Sequence, residues 1–336
     1  MNNYFQLSAE DQQLILQQAS ARLGLPPQAI EKDLWVTTIL QIVFTLPYAD
    51  KLIFKGGTSL SKVWHQIERF SEDIDLAVDR SLFDMEGDLT KKQIKKLRKA
   101  SSLFVKEEFC SSLQSKIEEY GLSAFCSIEP EPDGEGDNTY PEPRRVFVKY
   151  RSAWAESLDY LSPIVMLEIG ARSLLEPNEQ TNIRSMVEET FPTIQTTLVD
   201  TPVITALASK TFLEKVFLLH ELFSVEGRGA TTAERKSRHL YDLSQMMDKD
   251  FALAAIQDDE LWESIRHHRE IFTSVRGMDY APDVRKRIIL IPPSDIRVVW
   301  EQDYKSMCSS MIFGAKPTFD ELLEQMKTLE TRFHEV

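Results

Sequence analysis

The spacing of apolar and polar residues changes character several times in the first 80 residues. Residues 7–24 and 26–44 carry apolar side chains at intervals of three and four, which predicts two helices. The pattern then shortens: KLIF (51–54) predicts a strand, TSLSKVWHQI (58–67) a helix, and IDLAV (74–78) a second strand. Strands and helices therefore alternate after the two opening helices.

The middle of the chain continues this mixed pattern. A long charged helix is predicted over residues 88–120, and the acidic, turn-rich segment EPEPDGEGDNTYPEP (129–143) is predicted to be a loop. RRVFVKYR (144–151) alternates like a strand, and SPIVMLEIGAR (162–172) is typical of a buried strand.

The pattern changes again near residue 200. DTPVITALASKTFLEKVFLLHELF (200–223) predicts one amphipathic helix, residues 224–236 a loop, and the remainder further helices. The sequence thus predicts an α+β fold with two domains. Residues 1–200 would form a mixed sheet with flanking helices, and residues 201–336 an all-helical domain.

Composition narrows the protein class. The 336 residues are 42% hydrophobic, enough for a real core, and the net charge of −14 argues against a protein that coats nucleic acid non-specifically. No apolar run is long enough for a membrane span, and the start of the chain does not resemble a signal peptide. Three scattered cysteines without a CxxC motif favour a reducing cytoplasm and argue against a cysteine-based zinc site.

Two aspartates stand in an apolar stretch where a strand should bury its side chains. Asp73 and Asp75 are two residues apart, so a strand would project both to one side. Two neighbouring carboxylates repel each other, and a divalent cation removes the conflict by binding both. Mg²⁺ commonly binds one or two carboxylates together with substrate phosphates. The pair therefore predicts a magnesium site with a phosphorylated substrate nearby.

A glycine turn precedes the two aspartates. Gly56 and Gly57 allow a ligand to approach the backbone closely, while Thr58 and Ser59 stand where the next helix begins. Free N–H groups at a helix start favour an anion, and the hydroxyls can cap the helix or bind phosphate. The spacing is not that of a P-loop. A GGTS turn or a DxD pair alone is usually structural, but the order strand–GGTS–helix–DID–strand is much more specific.

This order of elements resembles the nucleotidyltransferase superfamily of the DNA polymerase β type. More narrowly, several segments resemble the AbiEii/AbiGii toxin family, whose members are nucleotidyltransferases of toxin–antitoxin and abortive-infection systems of phage defence. The matching segments are spread over most of the chain: IEKDLWVTTIL (30–40), FKGGTSLSK (54–62), RFSEDIDL (69–76), FLEKVFLLHEL (212–222), SRHLYDL (237–243) and SDIRVVWEQDYKSM (294–307). The resemblance implies a polymerase β-like core with a helical domain that completes the active site.

The resemblance also assigns roles to residues. It implies that Ser59 and its GGT turn hold the triphosphate of a nucleoside triphosphate, and that Asp73 and Asp75 bind Mg²⁺, with two ions expected. Lys215 matches a family lysine expected near the phosphates; without the family it would be a surface lysine pairing with Glu214 or Glu221. Asp242 matches a later family aspartate beside the site, and two roles are open for it, orienting the acceptor or acting as a base; without the family it would be an ordinary acid at a helix start.

A third carboxylate often completes such sites. Glu168, in VMLEIGAR, is the candidate because an unpaired glutamate among apolar neighbours would be costly to bury. Its alternative is a structural ion pair with Arg172. Lys62 and Arg69 are weaker candidates, and Lys32 is either a further weak candidate or, equally, an ion-pair partner of Asp33 or Glu31. We expect the histidines, which lack metal-ligand spacing, to be structural: His65, His220 and His239.

The function implied by the resemblance is transfer of a nucleotide from a nucleoside triphosphate to a hydroxyl. MenT-type relatives of the family modify tRNA 3′ ends, so tRNA is the expected acceptor and an antitoxin encoded nearby the expected partner. The alternatives are transfer to a protein or small molecule, and a silent binding protein of the same fold. Two basic clusters are candidate RNA contacts, or only solvated helix faces: Lys91, Lys92, Lys95, Lys96, Arg98 and Lys99, and Arg228, Arg235, Lys236 and Arg238.

Overall fold

A computed structural model describes residues 2–154, 161–195, 201–231 and 233–336. The chain divides into two compact units: Met1–Val63 with Ser71–Thr205, and Trp64–Phe70 with Ala206–Val336. The predicted boundary at residue 200 lies outside the described residues. No helix in the described ranges is both long and apolar enough to cross a membrane.

The first unit is built on a mixed seven-stranded sheet, as predicted. Its strand order is β4-β5-β6-β3-β2-β9-β7. The β3–β6 and β2–β9 pairs are parallel, whereas β2–β3, β4–β5 and β5–β6 are antiparallel. The strands are β2 (Leu52–Lys55), β3 (Ile74–Val78), β4 (Cys126–Pro130), β5 (Arg144–Tyr150), β6 (Ile164–Gly170), β7 (Asn178–Asn182) and β9 (Pro202–Ala206); β1 (Asn2–Asn3) and β8 (Ile194–Gln195) form a separate parallel pair.

Helices flank this sheet. Ser8 caps the first helix, and Gly24 ends it in the left-handed conformation with φ +69°. The predicted charged helix forms over most of its length and contains one π turn, Val105–Phe109. The helices of the first unit are α1 (Ala9–Leu23), α2 (Pro27–Val43), α3 (Gly56–Lys62), α4 (Lys91–Phe104), α5 (Cys110–Glu119) and α6 (Met186–Thr190).

One face of the sheet is apolar and packs against helices. The buried side chains of Val146 and Tyr150 on β5 share this face with Arg144, because alternate strand residues point to the same side. Trp35 of α2 stacks on Tyr150 with 5.0 Å between ring centroids, and Arg144 Nε donates to Ser102 Oγ of α4 at 2.9 Å. Helices α2 and α4 therefore cover the face that Arg144 and Val146 share.

The second unit is helical, apart from Trp64–Phe70, a segment that belongs to this unit although its neighbours in sequence belong to the first. Trp64 Nε1 donates to Ala206 O at 2.9 Å, and Phe70 N donates to Met311 O at 2.7 Å. The helices are α7 (Ala208–Phe223), α8 (Arg228–Thr231), α9 (Arg238–Met246), α10 (Asp250–Gln257), α11 (Asp259–His268) followed by the π turn Arg269–Thr273, α12 (Arg297–Ser310) and α13 (Phe319–His334).

Two predicted helices are wrong in extent. The helix predicted over 200–223 begins only at Ala208, because Pro202–Ala206 forms strand β9, whose Thr205 pairs with Phe54. Its start at residue 200 lies outside the described residues. The helix predicted over 58–67 ends at Lys62, because the next residues pack with the second unit and His65 adopts φ 51°. In both places tertiary pairing overrides local periodicity.

Candidate functional site

The glycine turn and the second aspartate are in close contact within the first unit. Gly56 has φ +84°, a conformation that glycine adopts without strain. A Cβ built on Gly56 would lie 2.0 Å from Asp75 Oδ2 and 2.8 Å from Asp75 Cγ. The carboxylate of Asp75 therefore faces the turn, and only a residue without a side chain leaves room for it.

The hydroxyls of the turn are used within the protein. Thr58 Oγ1 donates to the backbone carbonyl of Asp73 at 2.5 Å and lies 2.9 Å from Ser71 Oγ. Ser59 Oγ donates to Gly56 O at 2.9 Å, and Thr58 and Ser59 are both buried. These bonds fix the turn and attach it to the segment that carries Asp73. Anion binding at this turn would therefore fall chiefly to the first N–H groups of α3, which have no partner within a helix.

A row of four charged residues crosses the sheet next to this turn. Asp75 is the cross-strand partner of Lys55 on β2 and of Glu168 on β6, and Glu168 is the partner of Arg145 on β5. Cross-strand partners project to the same side, so the row lies on the face opposite to Arg144 and the helices α2 and α4. Asp73 immediately precedes β3.

Glu168 makes a different ion pair from the one expected. Its Oε1 accepts from Arg145 Nε at 3.1 Å, whereas Arg172 pairs with Glu142. The predicted alternative of a Glu168–Arg172 pair is therefore wrong. Within the described ranges, no group of three or more histidine, cysteine or acidic side chains is arranged to hold a metal ion. The aspartates beside the glycine turn offer the hard oxygen donors that Mg²⁺ prefers.

The second unit contains a buried charge network. Asp242 on α9 is fully buried and accepts from Arg69 through both oxygens, Oδ1 from Nε at 2.6 Å and Oδ2 from Nη2 at 2.8 Å. Lys215 Nζ on α7 lies 2.9 Å from the same Oδ2. Burial by itself raises the pKa of Asp242, but the charges and hydrogen bonds of Arg69 and Lys215 outweigh it and lower the pKa to about 2. Asp242 is thus a poor proton acceptor at neutral pH.

His239 extends this network. Its Nδ1 lies 3.3 Å from Lys215 Nζ. Burial first, and then the neighbouring charge of Lys215, hold the pKa of His239 well below its usual value, so the ring is neutral. Burial likewise lowers the pKa of Lys215. A neutral ring that accepts at Nδ1 carries its proton on Nε2, which has no hydrogen-bond partner among the described residues. Sequence reasoning missed this contact because His239 lacks metal-ligand spacing.

The purely structural roles considered for Lys215 and Asp242, a surface ion pair and an acid at a helix start, are both wrong. Lys215 is buried, Glu214 pairs with Lys210 at 3.5 Å, and Glu221 is held by Arg269 at 2.6 Å. Asp242 lies inside α9 rather than at its start.

The acidic and basic side chains at the start of α2 also pair differently from the prediction. Lys32 pairs with Glu72 at 3.1 Å instead of with Asp33 or Glu31. Asp33 instead pairs with Lys62, whose Nζ lies 2.6 Å from Asp33 Oδ1. Lys32 and Asp33 are buried, whereas Glu72 and Lys62 are partly exposed, and the two pairs attach the segment before β3 and the end of α3 to helix α2.

The two basic clusters differ in surroundings. The lysines of the first cluster are exposed on α4, which covers the sheet face opposite to Asp75, and Arg98 donates to Tyr140 O at 2.8 Å. In the second cluster, the charge of Arg238 contributes to the lowered pKa of Lys215 and of His239. The second cluster therefore adjoins the buried network of its own unit.

Comparison with known proteins agrees with the fold and the motifs. Residues 38–325 match the family described as "Nucleotidyl transferase AbiEii toxin, Type IV TA system". Among solved structures, the chain is similar to MenT4, a nucleotidyltransferase toxin from Mycobacterium tuberculosis H37Rv, with 13% sequence identity and a TM-score of 0.53. This similarity covers 98% of the present chain and 90% of MenT4. No curated protein matches the chain in sequence.

Proposed function

Because the chain belongs to the AbiEii family of nucleotidyltransferase toxins from type IV toxin–antitoxin systems, we propose that it transfers a nucleotide to the 3′ end of a tRNA. The family implies a nucleoside triphosphate as substrate, a divalent metal and an antitoxin partner. We propose that the metal is Mg²⁺ and that two ions bind. We also propose that the protein acts in the cytoplasm, where its three free cysteines would stay reduced.

In the proposed reaction, the hydroxyl oxygen of the acceptor forms a bond to the α-phosphorus. The bond from the α-phosphorus to the bridging oxygen breaks, pyrophosphate leaves, and the acceptor hydroxyl loses its proton to solvent water. Asp73 and Asp75 would hold Mg²⁺, with Glu168 as a third candidate. When bound, the metal supplies electrostatic stabilisation of the attacking and leaving oxygens. The N–H groups of the Gly56–Ser59 turn would bind the triphosphate.

The second unit is proposed to serve the same reaction, as the family resemblance implies. Lys215 would offset negative charge on the triphosphate. The geometry within this unit favours a positioning role for Asp242, because both of its oxygens are engaged by Arg69 and Lys215 and its pKa is about 2. We therefore favour orientation of Lys215 by Asp242 over a role as general base.

The contact between Gly56 and the carboxylate of Asp75 carries this proposal. The test is incubation of the protein with Mg²⁺, each α-³²P-labelled nucleoside triphosphate and total tRNA. Label on the 3′ end of RNA is the expected result. Absence of label from every acceptor, with folded protein, would overturn the enzyme assignment in favour of a silent binding protein.

The identity of the acceptor is the part of the proposal for which an alternative exists. The second basic cluster adjoins the Lys215 network, which favours a polyanionic acceptor such as RNA. The first basic cluster lies on the opposite side of the sheet from Asp75, so it is less suited to bind the RNA whose 3′ end would react near Asp75. Label on protein or on a small hydroxylated molecule, with none on RNA, would replace the tRNA proposal while leaving the chemistry in place.

A further inference from the structure

Lys55 is a basic side chain beside the candidate metal site that the sequence motifs did not single out. It ends strand β2, next to Gly56, and its cross-strand partner is Asp75. Antiparallel partners project to the same side of a sheet with their Cβ atoms about 5 Å apart. Lys55 therefore shares a sheet face with the carboxylate that contacts Gly56.

The charges along the row make Lys55 unusual. Glu168 is already paired with Arg145 at 3.1 Å. Lys55 is half-buried, and its ammonium makes no ion pair within the part of the chain that the structure describes. It precedes α3 as the N-cap residue. A half-buried lysine beside acidic residues, without a structural partner, has its charge available for a ligand.

We infer that Lys55 is a phosphate-binding residue of the nucleotidyl-transfer site, whose ammonium contacts a non-bridging oxygen of the triphosphate. This inference rests on the proposed function. A lysine ammonium is a compact, rotatable donor that suits a phosphate oxygen. Its place at the junction of β2 and α3 puts it beside the N–H groups of the glycine turn, so the backbone and the side chain would bind one polyanion together.

The test measures binding of inorganic tripolyphosphate with Mg²⁺ by isothermal titration calorimetry, because this probe needs no knowledge of the base. Lys55→Met should weaken binding roughly tenfold to a hundredfold, the usual loss for one charge-assisted hydrogen bond. Lys55→Arg should stay within a few-fold of the wild-type protein. The matched control is Lys51→Met, which removes the same charge just before β2, where Lys51 pairs with Asp79 at 3.4 Å.

The outcomes separate this inference from the proposed function. Weakened binding in Lys55→Met, with unchanged thermal stability and an unaffected Lys51→Met control, supports a direct phosphate contact. Equal loss in both lysine variants would mean a general charge effect and would overturn the inference. Unchanged binding in Lys55→Met would also overturn it, although label transfer by the wild-type protein would leave the nucleotidyltransferase assignment standing. Failure of the wild-type protein to bind tripolyphosphate counts against both.

Discussion

The carboxylate of Asp75 lies so close to Gly56 that a methyl group on the glycine would sit 2.0 Å from Asp75 Oδ2. The contact joins the glycine turn at the start of helix α3 to the aspartate motif, which follows in sequence only after the rest of α3 and the segment Trp64–Phe70. It explains why glycine begins this helix at position 56, where stronger helix formers would otherwise be preferred. The turn is shaped around the acidic side chain that the proposed metal requires.

The first prediction follows from this contact. Gly56→Ala should displace the Asp75 carboxylate and reduce nucleotide transfer roughly a hundredfold, as expected for a shift of about 1 Å in a catalytic group. Label transfer at saturating substrate measures the effect. Gly24→Ala is the matched control, because Gly24 also has a left-handed φ, +69°, but no atom within 4 Å of the added Cβ. An equal loss of transfer in both variants would point to backbone strain alone.

The second prediction concerns the buried network of the second unit. Asp242→Asn removes the negative charge that the Arg69 guanidinium and the Lys215 ammonium both contact. Removing one member of a buried ion pair costs about 3–5 kcal/mol of unfolding free energy. Urea denaturation should detect this loss, and residual folded protein should show reduced transfer.

A matched control separates stability from activity in that experiment. Glu221→Gln disrupts another buried pair, in which Arg269 Nη2 lies 2.6 Å from Glu221 Oε2. It should lower stability comparably while transfer per folded molecule stays near that of the wild-type protein. If both variants lost transfer per folded molecule to the same degree, Asp242 would have no special role in the reaction.

A third prediction concerns pH. Burial lowers the pKa of His220 to about 4 from its ordinary 6.5, so between these values the unfolded chain binds a proton that the folded protein excludes. The stability is fully present above pH 6.5 and is lost as the pH falls towards 4. At 1.36 kcal/mol per pKa unit, the loss amounts to about 3 kcal/mol.

The measurement for this prediction is the unfolding free energy at pH 7, 6 and 5. His220→Asn places an amide oxygen near the position of Nδ1, which accepts from the N–H of Ile289, and removes the titration, so its stability should fall less over this range. His239 also has a lowered pKa and titrates in the same direction, so only part of the pH dependence disappears. Parallel curves for the two proteins would contradict the assignment.

Much of the first unit could be predicted because its local signals agree with its fold. Ser8 and Gly24 mark the ends of α1, and the alternation in residues 144–151 matches a strand with one buried face. The aspartate motif and glycine turn were recognisable because acidic residues in an apolar strand, and paired glycines at a helix start, contradict ordinary propensities.

The errors come from long-range contacts that spacing does not encode. Residues 202–206 resemble the start of a helix, but their backbone pairs with β2. The pairing of Arg69 with Asp242 joins residues 173 positions apart. The same limit hid Lys55, since only the strand register shows that it shares a row with Asp75 and Glu168.

The most direct test is nucleotide transfer by the double variant Asp73→Asn, Asp75→Asn, measured beside Mg²⁺ binding on the same preparation. Asparagine keeps the size of each side chain and removes the charge, so the fold should persist, as circular dichroism would show. We expect loss of Mg²⁺-dependent transfer by a factor of at least about 10³, the scale on which a stabilising metal contributes several kcal/mol. Transfer at the wild-type rate by the folded double variant would contradict the account.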